Sequence, residues 1–143
     1  FLSNPAIELN AFQVWRASGL SDRAREIVIL RAARVQQSTY EWHQHVRIAR
    51  AAGLSDAEIR AVGDWKASDL FSEDERVLLA YVDELAHARR PSDAAFAALS
   101  ANRSTAEVFG VTFLVTLYFQ LAHVMAALDL ETEQPFVGWE LDG

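Results

Sequence analysis

Two side chains with acid–base chemistry, Glu41 and His45, stand one helical turn apart in the sequence. Positions four apart on an α-helix share a face, and that face continues with the apolar residues Ile48, Ala49 and Ala52. A carboxylate and an imidazole are therefore predicted to point toward the packed interior. Burial there shifts proton affinities, as general acid–base catalysis requires. The alternative is a surface Glu–His pair at the edge of the apolar stripe.

A second carboxylate, Glu26, lies in the preceding predicted helix, on a face that is otherwise apolar. A short connection makes these two helices antiparallel neighbours, so Glu26 is predicted to converge with Glu41 and His45 in one pocket. The alternative is that Glu26 pairs with Arg23 or Arg31 at the surface.

The other histidines and the aromatic residues are weaker candidates. His43 faces about 200° away from His45 on a helix, so we predict no metal site from this His-x-His pair. His123, inside a long apolar segment, could line the pocket, although a hydrogen-bonded core histidine is more common. Four aromatic residues could form a wall of the pocket or belong to the core: Trp15, Tyr40, Trp42 and Trp65.

The elements that position these groups are predicted to be helices joined by short turns. Capping boxes, in which a serine and the glutamate three residues later satisfy each other's backbone N–H groups, mark helix starts after Ser55, Ser72 and Ser104. Gly53 is the predicted C-cap of the helix that carries the acid–base pair. No segment alternates as a half-buried strand does. The predicted helices span residues 5–17, 21–37, 39–52, 56–64, 73–89, 92–100 and 105–129, which gives an all-α bundle of about six to seven helices.

Composition limits the possible functions. The chain of 143 residues fits a single domain, 1–143, and its 51% of hydrophobic residues is enough for a core. A net charge of −7 repels phosphate backbones, so no nucleic-acid partner is expected. The absence of cysteine excludes disulfides, thiol nucleophiles and thiolate metal ligands in these residues.

One stretch, residues 108–128, is long enough to cross a membrane and carries no formal charge. Glu107 and Asp129 close it tightly and polar residues interrupt it, so we predict the central helix of a soluble bundle and no membrane partner. The tail from Glu131 onward contains Phe136 and Trp139, and we expect it to lie across its own subunit or a neighbour.

Three segments of the chain carry a family resemblance. They are residues 20–31 (LSDRAREIVILR), 40–49 (YEWHQHVRIA) and 52–59 (AGLSDAEI). Together they resemble the carboxymuconolactone decarboxylase and alkylhydroperoxidase-D-like family, strongly over residues 20–62 and more loosely through the later helices. The resemblance implies a compact, oligomeric helical bundle.

By this resemblance, Glu26 matches a glutamate of the family's first core helix, and His45 matches the histidine that closes the active-site motif. In the peroxidase branch that motif is Cys-x-x-Cys-x-x-x-His, but here Ser38 and Glu41 occupy the two cysteine positions. Thiol-based peroxidase chemistry is therefore disfavoured. The Tyr-Glu-Trp-x-x-His form is similar to the cysteine-free branch, which is nearer to the decarboxylases.

The resemblance implies a cofactor-free lyase, a decarboxylase of a small cyclic or aromatic-derived carboxylic acid or lactone. Glu26, Glu41 and His45 would be its acid–base groups, in an order that the sequence does not rank. Arg31 or Arg34 would hold the anionic substrate. The alternatives are a hydrolase, isomerase or dehydratase at the same site, or a non-catalytic helical oligomer that binds an apolar ligand.

The same resemblance implies a homotrimer or homohexamer. We expect a small-molecule substrate, no cofactor, a cytoplasmic location and a role in the catabolism of aromatic compounds.

Overall fold

The computed structural model describes residues 13–131 and contains only helices and turns over that range. Part of the first predicted helix and most of the aromatic tail lie outside the described residues. The helices are α1 (described over residues 13–17), α2 (Asp22–Val35), α3 (Thr39–Ala51), α4 (Asp56–Ala61), a 3₁₀ turn (Trp65–Ala67), α5 (Glu73–His87), α6 (Asp93–Ser100) and α7 (Thr105–Ala127).

Capping side chains set the helix starts as predicted. At Ser55, Ser72 and Ser104 the serine hydroxyl accepts from the backbone N–H three residues on, and the glutamate there accepts from the serine N–H. Gly53 follows the last turn of α3 with a left-handed φ of 92°, which confirms its capping role. The predicted helix ends are less accurate. α4 stops at Ala61, three residues early, and the chain then makes the 3₁₀ turn.

Helix α2 is the centre of the bundle because its run Ile27–Leu30 is apolar on all sides. Val28 and Ile29 pack in a core built with α5 and α7. Ile27 and Leu30 pack in a second core, built with α3, α4 and α5. A helix that is buried on two sides has little solvent-facing surface, so a polar residue within it must find its partners inside the protein.

Helix α7 is the one helix of the described residues that is long and apolar enough to cross a membrane, with 23 residues and a mean hydropathy of 1.7. Val111, Leu114 and Val115 bury one face of it in the first core. Gly110 gives α7 its close approach to the end of α1, because a Cβ atom there would lie 2.1 Å from the carbonyl oxygen of Ala17. This approach brings α1 over the middle of α7.

Candidate functional site

The structure brings Glu26 and His45 into direct contact between α2 and α3. The two atoms in contact, His45 Nδ1 and Glu26 Oε2, are 2.7 Å apart. Glu26 is fully buried and His45 is 7% exposed, so the contact is shielded from water. The predicted convergence of these two residues is confirmed, and the surface alternative for Glu26 is wrong. Arg23 pairs instead with Glu58 and Glu75.

Glu26 has a hydrogen-bond donor on each carboxylate oxygen. Its other oxygen, Oε1, accepts from Arg25 Nε at 3.1 Å. Because a carboxylate oxygen accepts hydrogen bonds, His45 Nδ1 is assigned as the donor in this contact. The other ring nitrogen, Nε2, is then the one that can exchange a proton with a ligand. Buried carboxylates orient histidines in this way in many enzymes.

Two aromatic side chains enclose the imidazole of His45. Tyr118 on α7 meets it edge-on with ring centroids 5.1 Å apart, and Trp15 on α1 does so at 6.3 Å. Trp15 Nε1 donates to the Tyr118 hydroxyl at 3.1 Å, and the guanidinium of Arg25 lies 4.6 Å from the Trp15 ring. Sequence reasoning missed Tyr118 and treated Trp15 only as a general wall candidate. The available signal was a tyrosine in the middle of an apolar helix, which needs a polar partner when buried.

Glu41 is also buried, but in contrast to Glu26 its carboxylate has no partner. It is 2% exposed, and neither oxygen has a hydrogen-bond partner among the described residues. Burial raises the pKa of Glu41 to about 8. The Ser38 hydroxyl opposes this rise, although it falls short of hydrogen-bond geometry.

Tyr118 connects Glu41 with the Glu26–His45 pair. Burial raises the pKa of the Tyr118 phenol, the charge on Glu26 raises it further, and Glu41 adds to the same effect. The donor Trp15 and the cation of Arg25 oppose this rise. Both carboxyl groups are therefore close enough to influence the same phenol.

Four of the predicted substrate-binding residues, Arg31, Arg34, Trp42 and His123, have structural contacts of their own. Arg31 is held by Asp83 at 2.5 Å and by two backbone carbonyls, and Arg34 stacks at 5.4 Å over Trp42 within the second core. His123 is exposed, and its Nδ1 donates to the Phe119 carbonyl one turn back. The two arginines and Trp42 find their partners through tertiary packing, on faces that periodicity alone could not assign.

The remaining predicted residue, Tyr40, lines a cavity of about 180 Å³. This cavity lies between the α2–α3 turn and the end of α7, and Met125 and Leu130 form part of its wall. Ser38 also lines it, and the same serine influences the carboxyl of Glu41. Glu26, Glu41 and His45 do not line this cavity, so Ser38 is the link between it and the buried carboxyl groups.

Within residues 13–131, no group of three or more histidine, cysteine, aspartate or glutamate side chains is placed to hold a metal ion.

Comparison with known families identifies the family of the chain. The sequence model of the carboxymuconolactone decarboxylase family matches residues 6–84, more than half of the chain. The chain belongs to this family. The match includes Glu26, Glu41 and His45, whereas Tyr118 lies outside it.

Two solved structures share the fold. One is a protein of unknown function from Agrobacterium tumefaciens, provisionally assigned to antioxidant defence as an AhpD; it has 24% identity and a TM-score of 0.81, over 92% of both chains. The other is a cysteine-to-alanine variant of the debrominase Bmp8 with bound 2,3,4-tribromopyrrole; it has 16% identity and a TM-score of 0.73, over 92% of this chain and 73% of that one. No curated protein matches the chain. These likenesses confirm an AhpD-like all-helical fold.

Proposed function

We propose that the protein is a cofactor-free lyase that decarboxylates a small cyclic or aromatic-derived carboxylic acid or lactone. The observation that supports this most is the buried contact between His45 Nδ1 and Glu26 Oε2 at 2.7 Å. It supplies an oriented imidazole in an enclosure where water competes little for the proton. Membership of the carboxymuconolactone decarboxylase family favours this reaction class.

In the proposed reaction the bond between the carboxyl carbon and the ring breaks, and its electron pair stays on the ring carbon as an enolate. His45, protonated at Nε2, gives that proton to the carbon, and carbon dioxide leaves. Glu26 stabilises the imidazolium through Nδ1–H, and the hydrogen bond from Arg25 Nε holds the Glu26 carboxylate in place. His45 then takes up a proton from solvent, so each turnover consumes one proton.

Thiol chemistry has no support in this chain, although one structure of the same fold is provisionally assigned to antioxidant defence. The 143 residues contain no cysteine. Ser38 and Glu41 stand where the resemblance to the peroxidase branch places its two cysteines. A serine hydroxyl does not form the thiolate that peroxide reduction needs.

The experiment is a screen for carbon dioxide release from small cyclic and aromatic acids and lactones. Rings the size of pyrrole belong in the panel, because this fold holds a tribromopyrrole in the debrominase complex. We expect His45→Ala to lower the rate by about 10²- to 10⁴-fold, the range that a positioned general acid contributes.

His87→Ala is the matched control, because His87 is an exposed histidine whose Nδ1 bonds its own helix at the Asp83 carbonyl. We expect it to retain wild-type rates. Turnover without carbon dioxide would favour a hydrolase, isomerase or dehydratase at the same site. Ligand binding without turnover, unaffected by Glu26→Gln, would favour a non-catalytic ligand-binding oligomer.

We also propose that the protein acts as a homotrimer or homohexamer in the cytoplasm, on a small-molecule substrate and without nucleic-acid or membrane partners. The outer face of α7 supports the assembly. Phe109 and Phe113 are 69% and 49% exposed there and stack on each other with ring centroids 6.0 Å apart. An exposed aromatic pair on an apolar helix is typical of a surface that another subunit covers.

A further inference from the structure

Glu26 and Glu41 are two buried glutamates with opposite surroundings. Glu26 has a donor on each oxygen, Arg25 on one and His45 on the other. Glu41 has no partner on either oxygen among the described residues, although only 2% of it is exposed. An ionised carboxylate accepts hydrogen bonds only, and leaving it buried without donors is expensive. The neutral acid form is the cheaper state for Glu41.

We propose that Glu41, as an uncharged carboxylic acid, donates a hydrogen bond to an anionic oxygen of the ligand, and that the site therefore takes small monoanionic carboxylates. This inference rests on the proposed function, because it assigns the ligand class of the same site. A protonated carboxyl group carries one O–H donor, and in Glu41 no described residue accepts it. A ligand oxyanion would satisfy it.

The charges around Glu41 agree with an anionic ligand. Arg25 on α2 pairs with both Glu26 and the exposed Asp22. A proton on His45 would balance the remaining negative charge of this group. Tyr118 on α7 is neutral because burial and the charge on Glu26 raise its pKa. An ionised Glu41 would repel an anion, whereas an uncharged Glu41 lets the imidazolium attract it.

Ser38 is the residue that the cavity shares with the surroundings of Glu41. Ser38 lines the cavity at the α2–α3 turn, and its hydroxyl faces the Glu41 carboxyl one turn along α3. The Ser38 side chain makes no capping bond to the helix, so its hydroxyl can bond with a ligand in the cavity, next to Glu41. The cavity of about 180 Å³ limits that ligand to a small molecule.

The test is calorimetric binding of benzoate and cyclohexanecarboxylate, with benzamide as the neutral control, to wild type and Glu41→Gln. The amide of glutamine keeps an N–H donor at every pH and has the size of the neutral acid. The pKa of Glu41 is raised by burial to about 8, so wild type should bind benzoate about tenfold more weakly at pH 9 than at pH 7. Glu41→Gln should lack this tenfold loss.

His45 is present in both proteins, so its effect on binding is common to both. Benzamide binding should be weak and unchanged by pH. The proposal is overturned if neither carboxylate binds wild type at pH 7, or if Glu41→Gln abolishes binding while remaining folded. It is also overturned if both proteins lose affinity equally between pH 7 and 9.

A second measurement keeps the test valid if Glu41→Gln does not fold. The infrared band of a protonated carboxyl group should be present in wild type at pH 7 and should vanish as the pH passes 9. Its absence at pH 7 would contradict the proposal. Both measurements are independent of turnover, so an absence of decarboxylation would leave the assignment of Glu41 standing. Likewise, a negative result for Glu41 would leave the decarboxylase proposal standing.

Discussion

Burial of Glu41 makes folding depend on pH. Its pKa is raised to about 8 in the folded protein by burial, from an ordinary value of 4.5. Between these values the folded state holds a proton that the unfolded state releases. The free energy of unfolding therefore falls as pH rises, by roughly 1.4 kcal/mol per pH unit.

We expect Glu41→Gln to remove that loss, so that the variant gains on wild type by a few kcal/mol between pH 5 and pH 8. Urea unfolding at the two pH values measures it. Glu73→Gln, a change at an exposed glutamate in the first turn of α5, is the control and should follow wild type. Parallel curves for wild type and Glu41→Gln would mean that Glu41 is ionised in the folded protein.

At the scale of elements, the close contact between α1 and α7 positions the aromatic enclosure of His45. Gly110 permits this contact, since an added Cβ would meet the Ala17 carbonyl oxygen at 2.1 Å. Trp15, two residues before Ala17, is the donor to the Tyr118 hydroxyl. A shift of α1 would therefore separate Trp15 from Tyr118.

We expect Gly110→Ala to destabilise the protein by about 1–3 kcal/mol through overpacking, although alanine is the better helix former. Chemical unfolding followed by circular dichroism measures the change. Thr116→Ala, at an exposed position of the same helix, should change stability little. A gain of about 1 kcal/mol in Gly110→Ala, as helix propensity alone predicts, would refute the close approach.

Sequence periodicity predicted the helices and the face on which Glu26 and His45 each lie. The short connection between α2 and α3 then predicted their contact. The capping serines and the i, i+4 faces carry that information directly. It could not predict Tyr118, which comes from a helix far along the chain. The family resemblance led to the prediction that Arg31 or Arg34 binds the substrate. An arginine that pairs with Asp83 or stacks on Trp42 cannot be distinguished in the sequence from one that binds a substrate.

At the scale of the whole molecule, the exposed apolar face of α7 supports the proposed assembly. We expect a homotrimer or homohexamer by light scattering at micromolar concentration, since an obligate interface is more hydrophobic than a transient one. Phe109→Glu should shift the oligomeric state toward monomer, because the new charge would be buried in the subunit interface without a partner.

The matched control for that change is Leu70→Glu, at a residue 45% exposed between the 3₁₀ turn and α5. It should leave the assembly intact. A wild-type protein that is monomeric at micromolar concentration would remove the proposed assembly, while the contact between Glu26 and His45 lies within one chain and would remain.

Proton delivery by His45 is most directly measured by running the carbon dioxide release reaction in D₂O and locating the label in the product by mass spectrometry. The proposed chemistry predicts one deuterium on the carbon that carried the carboxyl group, with the rate lowered about 10²- to 10⁴-fold in His45→Ala. A His45→Ala protein that forms the same labelled product at the wild-type rate would contradict it.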